Sequence, residues 1–318
     1  MADYIMILGG LALLVAGGEM LVSGATSAAK AFGVSPLIIG LTLVGFGTST
    51  PELVTTVTAA LAGAPGIAIG NVVGSNTANI LLVLGVAAMI YPLAVDPRSF
   101  RRDAIVLVAA TLAALAIVLV GNVGRLTGAA LIASLIAYVI FLYLHEGDAP
   151  DEEAEVKRHM AEDAPRGPGT PALALGLAAL GVGLTIVGAK LLVDGAIEVA
   201  SDLGVSDTII GLTIVAVGTS MPELITSAVA AFRKHGDVAY GNIIGSNLYN
   251  ILFILGSAAL IKPIAIPAQI ARFDIWIMVG ATALLVLFAR TGFKLHRWEG
   301  FAFVLGYAAY LGLLILRA

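Results

Sequence analysis

Two acidic residues, Glu52 and Glu223, lie within long apolar stretches of this 318-residue chain, in the motifs GTSTPE and GTSMPE. Ionisable side chains at membrane depth are costly, and they usually mark an ion pathway or binding site. Residues three and four positions apart share one face of a helix, so each carboxylate lies on the same face as two hydroxyl groups. The hydroxyl-bearing positions are Thr48, Ser49, Thr219 and Ser220.

Each of these glutamates directly follows a proline, Pro51 or Pro222. Proline removes a backbone donor and pushes away the carbonyl of the preceding turn. We therefore expect both helices to break within the motif and to free carbonyl oxygens near Gly45, Gly47, Ala216 and Gly218. Broken helices near the membrane midplane are where many transporters bind their ions.

A second polar stripe follows each glutamate motif, with residues spaced i, i+4 and i+8 on one helix face. The two stripes are Asn71, Ser75 and Asn79, and then Asn242, Ser246 and Asn250. We expect Asn71 and Asn242, near the helix starts, to be structural or capping residues. Carboxylate, hydroxyl, amide and carbonyl oxygens are hard ligands that suit Na⁺, Ca²⁺ or Mg²⁺ better than zinc or copper. Two ionised glutamates balance one Ca²⁺ or two Na⁺, and mutually exclusive occupancy is the simplest physical basis for antiport.

The composition requires helices that can carry these residues through a bilayer. Apolar residues make up 59% and charged residues 12% of the chain, against about 45–50% and about 25% in soluble proteins. The apolar runs are continuous and do not alternate with period two, which favours membrane-spanning helices over a barrel. The chain has no cysteine, which excludes disulfides and thiolate metal sites. It has no basic patch that indicates nucleic-acid binding.

The fold class that follows is an all-α polytopic membrane protein with ten transmembrane helices. The predicted spans are 4–24, 37–61, 66–91, 103–121, 126–145, 171–197, 208–232, 238–261, 273–290 and 298–316. Residues 146–170 are acidic and rich in proline, cannot bury a core, and are predicted to form a linker.

The chain contains an internal repeat with an offset of 171 residues. GLTLVGFGTSTPEL begins at Gly40 and GLTIVAVGTSMPEL at Gly211, while GNVVGSNTANILLVLG begins at Gly70 and GNIIGSNLYNILFILG at Gly241. Residues 1–145 and 171–318 are therefore two copies of a five-helix unit. Because five is odd, the second copy must enter the membrane from the opposite side, which predicts an inverted repeat.

Charge predicts the orientation of the chain in the plasma membrane. If both termini are outside, the inner segments hold most of the Lys and Arg residues, among them Arg101, Arg102, Arg158 and Arg233. This excess follows the positive-inside rule. The linker 146–170 is then cytoplasmic.

The paired GTSxPE and GSNxxN motifs resemble those of the calcium/cation antiporter superfamily, specifically its prokaryotic sodium/calcium exchangers, over essentially the whole chain. The resemblance implies an ion site shared by the spans 37–61, 66–91, 208–232 and 238–261. It also implies alternating access by a sliding pair of helices, 4–24 and 171–197. The implied Ca²⁺ ligands are Glu52, Glu223, Thr48 and Thr219. The implied Na⁺ ligands add Ser49, Ser75, Ser220, Ser246 and the carbonyls of Gly45 and Ala216, with Asn79 completing the polar centre.

Asn250 departs from the pattern of some relatives, including potassium-dependent exchangers, which have Asp at this position. We take Asn in both copies as an indication against potassium dependence. Proton/calcium members of the superfamily differ around the glutamates, which favours Na⁺ as the counter-ion.

The predicted function is Ca²⁺ extrusion driven by Na⁺ entry, with Na⁺ and Ca²⁺ as transported ions and the bilayer as the only required partner. Exchange of H⁺ for Ca²⁺ or another divalent cation is the main alternative, and a cation channel is a weaker one. No HExxH motif or nucleophile–base pair indicates an enzyme. No cofactor and no obligate protein partner are expected.

Overall fold

The computed structural model of the chain describes residues 2–145, 170–202 and 216–317. Helices of the first segment are α1 (Ala2–Phe32), α2 (Pro36–Thr48), α3 (Thr50–Leu61), α4 (Pro65–Ile90), α5 (Pro97–Val120) and α6 (Arg125–His145). The later helices are α7 (Pro171–Asp202), α8 (Ala216–Thr219), α9 (Met221–Phe232), α10 (Gly236–Ile261), α11 (Ile270–Arg290) and α12 (Arg297–Arg317). Four short strands are β1 (Leu93–Ala94), β2 (Asn122–Val123), β3 (Ile264–Ala265) and β4 (Lys294–Leu295).

The described residues confirm a helical membrane protein. Eight of their helices are long and apolar enough to cross a bilayer, and α2 with α3 forms a further span that bends by 45°. The first helix continues to Phe32, beyond the predicted 4–24, and ends where Gly33 adopts the left-handed conformation with φ 68°. Of the predicted span 208–232, residues 208–215 lie outside the described residues, as do residues 146–169 of the predicted linker.

The two longest helices, α1 and α7, pack against each other in antiparallel fashion along stripes of glycine. Gly10, Gly17 and Gly24 recur every seven residues on α1, and a Cβ at Gly17 would lie 2.8 Å from the carbonyl oxygen of Gly181 on α7. Such stripes of small residues allow the backbones of membrane helices to approach closely. The α1–α7 pair therefore forms one packing unit beside the other helices.

The most buried helices are α4 and α10, which carry the polar stripes. Gly40 and Gly45 of α2 lie directly against the backbone of α10, where an added Cβ on Gly45 would be 3.1 Å from the amide nitrogen of Ser246. A larger side chain there would separate the two helices. The glycines thus position the GTSTPE motif of α2 beside the GSNxxN motif of α10.

Pairs of polar contacts tie the outer helices to one another. Tyr138 of α6 donates to Asp103 of α5 at 2.8 Å, and the equivalent Tyr310 of α12 donates to Asp274 of α11 at 3.0 Å. Strand β1 pairs with β4, and β2 pairs with β3, both antiparallel. Loops from the two halves of the chain are thereby joined at two places.

Candidate cation-binding centre

Both glutamate motifs break their helices at the serine. Ser49 separates α2 from α3 with φ −81° and ψ 7°, and Ser220 separates α8 from α9 with φ −89° and ψ 9°. The prolines that follow stand in the first turn of α3 and α9, where the missing N–H costs no helical hydrogen bond. The predicted break is therefore present twice, with the same local geometry.

The two carboxylates that follow these breaks are buried. Glu52 is 1% exposed and Glu223 is 0% exposed. Each has one oxygen, Oε2, that is buried without a hydrogen-bond partner among the described residues. A buried carboxylate oxygen without a donor is unfavourable unless a cation or a proton compensates it. These oxygens are thus suited to coordinate a cation.

Serines of each motif donate across to the carboxylate of the other motif. Ser49 Oγ donates to Glu223 Oε1 at 3.0 Å, and Ser220 Oγ donates to Glu52 Oε1 at 3.2 Å. Ser246 Oγ of α10 adds a second hydrogen bond to Glu223 Oε1, at 3.4 Å. The crossed hydrogen bonds bring residues about 170 positions apart in sequence into one polar centre.

Thr48 and Gly45 line the same region, and both also contact other protein groups. The carbonyl of Gly45 accepts from the backbone N–H of Ser49 at 3.2 Å, so this one of the four expected carbonyls keeps a backbone donor. Its second lone pair faces Ser246 Oγ at 3.5 Å. Thr48 Oγ1 lies 3.1 Å from the carbonyl of Val44 and 3.2 Å from Asn242 Oδ1. Pro51 does not free the carbonyl of Gly45, because the helical hydrogen bond that this proline cannot make is the one to the carbonyl of Gly47, four residues earlier.

In the second motif, Thr219 is half-buried at the end of α8 and Ala216 is the first residue of that helix. Both therefore stand beside the break at Ser220, as their counterparts do in the first motif.

The stripe residues of α4 and α10 supply further buried oxygens. Ser75 is buried, and the amides of Asn79 and Asn250 are buried with no partner among the described residues. Both asparagines stand in short π-helical stretches, Asn79–Leu84 and Tyr249–Ile254, a local widening that often occurs at functional sites. Neutral oxygens of this kind complement two carboxylates as ligands for Na⁺ or Ca²⁺.

Asn71 and Asn242 brace the centre from behind. Asn71 Nδ2 donates to the carbonyl of Glu52 at 3.2 Å and to Thr56 at 2.9 Å, while Asn242 Nδ2 donates to Ser227 at 2.9 Å. These bonds agree with the structural role expected from the sequence. The sequence candidates omit Asn247, whose buried amide has no partner among the described residues. The signal for it was its position as the first Asn of the repeated GSNxxN motif.

A helical membrane protein with two buried carboxylates, crossed serines and neutral oxygen ligands belongs to the class of cation transporters. The profile of the family described as sodium/calcium exchanger protein matches residues 3–144 and 173–316. This chain belongs to that family, in agreement with the prediction that it is not an enzyme.

Several similar proteins span nearly its whole length. A protein named CaxA from Alkalimonas amylolytica is 37% identical and covers 98% of both chains. The sodium/calcium exchanger MaX1 of Methanosarcina acetivorans is 34% identical and covers 97% of both. A solved structure of the sodium-calcium exchanger NCX_Mj, soaked with Na⁺ and Sr²⁺, is 32% identical over 98% of both chains with a TM-score of 0.84.

Proposed function

We propose that this protein exchanges Na⁺ for Ca²⁺ across the plasma membrane and uses Na⁺ entry to drive Ca²⁺ out. The observation that carries the proposal is the crossed arrangement in which Ser49 donates to Glu223 and Ser220 donates to Glu52. It joins the two carboxylates of the motifs into one centre with a charge of −2 when both are ionised. One Ca²⁺ or two Na⁺ neutralise that charge, so the ions compete for the same oxygens.

The proposed ligand set is the one named from the sequence. The Ca²⁺ ligands are Glu52, Glu223, Thr48 and Thr219. The Na⁺ ligands add Ser49, Ser75, Ser220, Ser246 and the carbonyls of Gly45 and Ala216, and the amides of Asn79 and Asn250 complete the polar centre. A third Na⁺ would bind to neutral oxygens alone and would make the exchange electrogenic. Asn250 in place of an acid supports exchange that does not require K⁺.

The proposed architecture is ten helices in two inverted five-helix repeats, 1–145 and 171–318, joined by the linker 146–170. The strand pairs support it. Residue Leu93 of β1 corresponds to Ile264 of β3 by the offset of 171, and each strand pairs with a loop of the other repeat. The chain must cross the membrane an even number of times between paired strands. Between β2 and β3, the helices α6, α7 and α10 give three crossings, which is an odd number. A fourth crossing would return the chain to the same side, and we assign it to the span that includes α8 and α9.

In the orientation with both termini outside, β1 and β4 meet at the inner surface and β2 and β3 at the outer surface. The acidic linker is then cytoplasmic. Alternating access is proposed to arise when the α1–α7 pair moves relative to the helices that carry the centre, as gating bundles do in other inverted-repeat transporters. The centre is internal to one chain, so we propose no obligate partner and no cofactor.

Radioactive Ca²⁺ uptake into proteoliposomes tests the proposal. Vesicles preloaded with Na⁺ should take up Ca²⁺, while vesicles with K⁺ inside or with a proton gradient should not. Glu52→Gln and Glu223→Gln should each abolish uptake, and Glu198→Gln, an exposed glutamate of α7, should leave it unchanged. Uptake driven equally by protons would favour H⁺/Ca²⁺ exchange, and uptake that needs no counter-ion and does not saturate would favour a channel.

A further inference from the structure

An ion pair joins α1 to the helix that carries Glu223. Arg233 follows the last residue of α9, and its Nη2 lies 2.6 Å from Glu19 Oε2 while its Nε donates to Glu19 Oε1 at 3.3 Å. A guanidinium that engages both oxygens of a carboxylate makes a directional, specific contact. Gly18, the neighbour of Glu19, packs against Ile225 of α9. The pair therefore stands where the α1–α7 unit meets the helices of the centre.

Glu19 lies close to the middle of its helix. Since α1 runs from Ala2 to Phe32, its midpoint is residue 17, two positions before Glu19. The distance from Glu19 to the end of the helix is 13 residues, or about 20 Å at 1.5 Å per residue. The long side chain of Arg233 extends back from the end of α9 and reaches Glu19 at this point of α1.

The second repeat has no equivalent of this bridge. By the offset of 171, Glu19 corresponds to Lys190 and Arg233 corresponds to Ala62. Lys190 pairs with Asp194 of its own helix, at 2.8 Å. The equivalent helix pairs also differ. Helix α1 packs along α9, whereas α7 makes little contact with α3. The α1–α7 unit therefore packs on α9 through α1 and has no matching contact between α7 and α3 among the described residues.

We propose that the Glu19–Arg233 pair is a latch that holds α1 against α9 in this conformation and opens during each transport cycle. The inference rests on the proposed function, specifically on alternating access. If the two repeats exchange conformations, α1 must move away from α9 until the two helices are as far apart as α7 and α3 are in this structure. Glu19 and Arg233 then separate. No ion pair of the second repeat replaces theirs, because alanine stands opposite Lys190.

The absence of native cysteine allows the latch to be tested by distance measurement in the full chain. Spin labels on Ser23→Cys of α1 and Leu144→Cys of α6, both exposed, report the position of α1 by double electron–electron resonance in lipid nanodiscs. Glu19→Gln and Arg233→Gln should each raise the ratio of a second distance population to the main one by roughly two- to fivefold, the effect of a partly exposed ion pair. The exchanged pair Glu19→Arg with Arg233→Glu should restore the original ratio.

Lys190→Gln is the matched control, since it removes an ion pair within one helix, and it should leave the ratio unchanged. Unaltered ratios in both neutral variants would overturn the latch, as would an exchanged pair that behaves like the single variants. Arg233→Lys keeps the charge and serves if Arg233→Gln does not fold. Ca²⁺ uptake by the labelled parent is measured separately. If the parent shows no Na⁺-driven uptake, the proposed exchange is rejected, while the distance measurements still test the latch.

Discussion

The two sequence repeats bring the same residue types to the centre, but they surround their carboxylates unequally. Glu223 accepts from Ser49 at 3.0 Å and from Ser246 at 3.4 Å. Glu52 accepts from Ser220 at 3.2 Å. Ser75, the counterpart of Ser246, is buried but makes no hydrogen bond to Glu52 in the part of the chain that the structure describes.

The inequality teaches that sequence symmetry and conformational symmetry are separate properties. The motifs set which chemical groups meet, whereas the packing of the helices sets which donors reach each carboxylate. If both halves had the same conformation, the two repeats could not alternate by exchanging conformations. Unequal halves are what a single state of an alternating-access protein displays.

Shortening each carboxylate by one methylene is expected to have the largest effect on this comparison. Glu223→Asp keeps the charge but withdraws it from two serine donors, while Glu52→Asp withdraws it from one. A hydrogen bond to a charged group contributes about 1.5–3 kcal/mol, or roughly 10- to 100-fold. The apparent KM for Ca²⁺ in Na⁺-driven uptake should therefore rise in both variants and more in Glu223→Asp. Equal effects, or the opposite order, would contradict the unequal surroundings.

The glycine stripes of α1 and α7 are expected to be equally sensitive, because they are equivalent by the repeat. A Cβ at Gly10 would lie 2.6 Å from the amide nitrogen of Leu192, and one at Gly181 would meet Leu21. Gly10→Ala and Gly181→Ala should each cost about 1–3 kcal/mol, as overpacking does, and lower the midpoint of thermal unfolding in detergent. Gly9 has open space around it, so Gly9→Ala is the control. A Gly9→Ala variant as unstable as Gly10→Ala would refute the close approach.

A smaller effect is expected from the serines of the stripes. Ser246→Ala removes a hydrogen bond to Glu223, while Ser75→Ala removes none to Glu52 in the described residues. This hydrogen bond is long, at 3.4 Å, so its loss should cost less than that of a well-formed bond to a charged group, about 0.5–1.5 kcal/mol. Ser246→Ala should therefore raise the apparent KM for Ca²⁺ by roughly two- to tenfold. Ser75→Ala should change it less. A larger effect of Ser75→Ala would show that the carboxylate of Glu52, not that of Glu223, receives the stronger support from its stripe serine during turnover.

The smallest expected effect concerns a contact that joins equivalent positions. Thr111 of α5 and Thr282 of α11 are 171 residues apart, and their hydroxyl oxygens lie 3.4 Å from each other. Interhelical hydrogen bonds in membranes contribute about 0.6 kcal/mol on average. Thr111→Val and Thr282→Val should lower thermal stability by similar small amounts, and the double variant by no more than their sum. Clearly different single effects would show that the contact is not symmetric.

Much of the fold and of the centre could be predicted from the sequence. Apolar runs predict the helices, and the positions of Pro51 and Pro222 predict breaks that occur at Ser49 and Ser220. The repeated motifs also identify nearly every polar group near the two glutamates, because an isolated oxygen ligand within an apolar helix stands out.

The remaining features depend on tertiary contacts that one sequence does not encode in its local pattern. The crossing of Ser49 to Glu223 and of Ser220 to Glu52 follows from how the broken helices face each other. The hydrogen bond from Ser49 to Gly45 depends on the actual backbone angles of the break. The pairing of Glu19 with Arg233 joins positions 214 residues apart that no repeat relates.

Equilibrium binding of radioactive Ca²⁺ to the purified protein at rising Na⁺ concentration tests most directly that both ions share one centre. We predict one Ca²⁺ per chain, displaced completely by Na⁺, and no binding when Glu52→Gln and Glu223→Gln are combined. Ca²⁺ that stays bound at saturating Na⁺, or that binds the double variant as tightly as the unsubstituted chain, would contradict a shared site at these carboxylates.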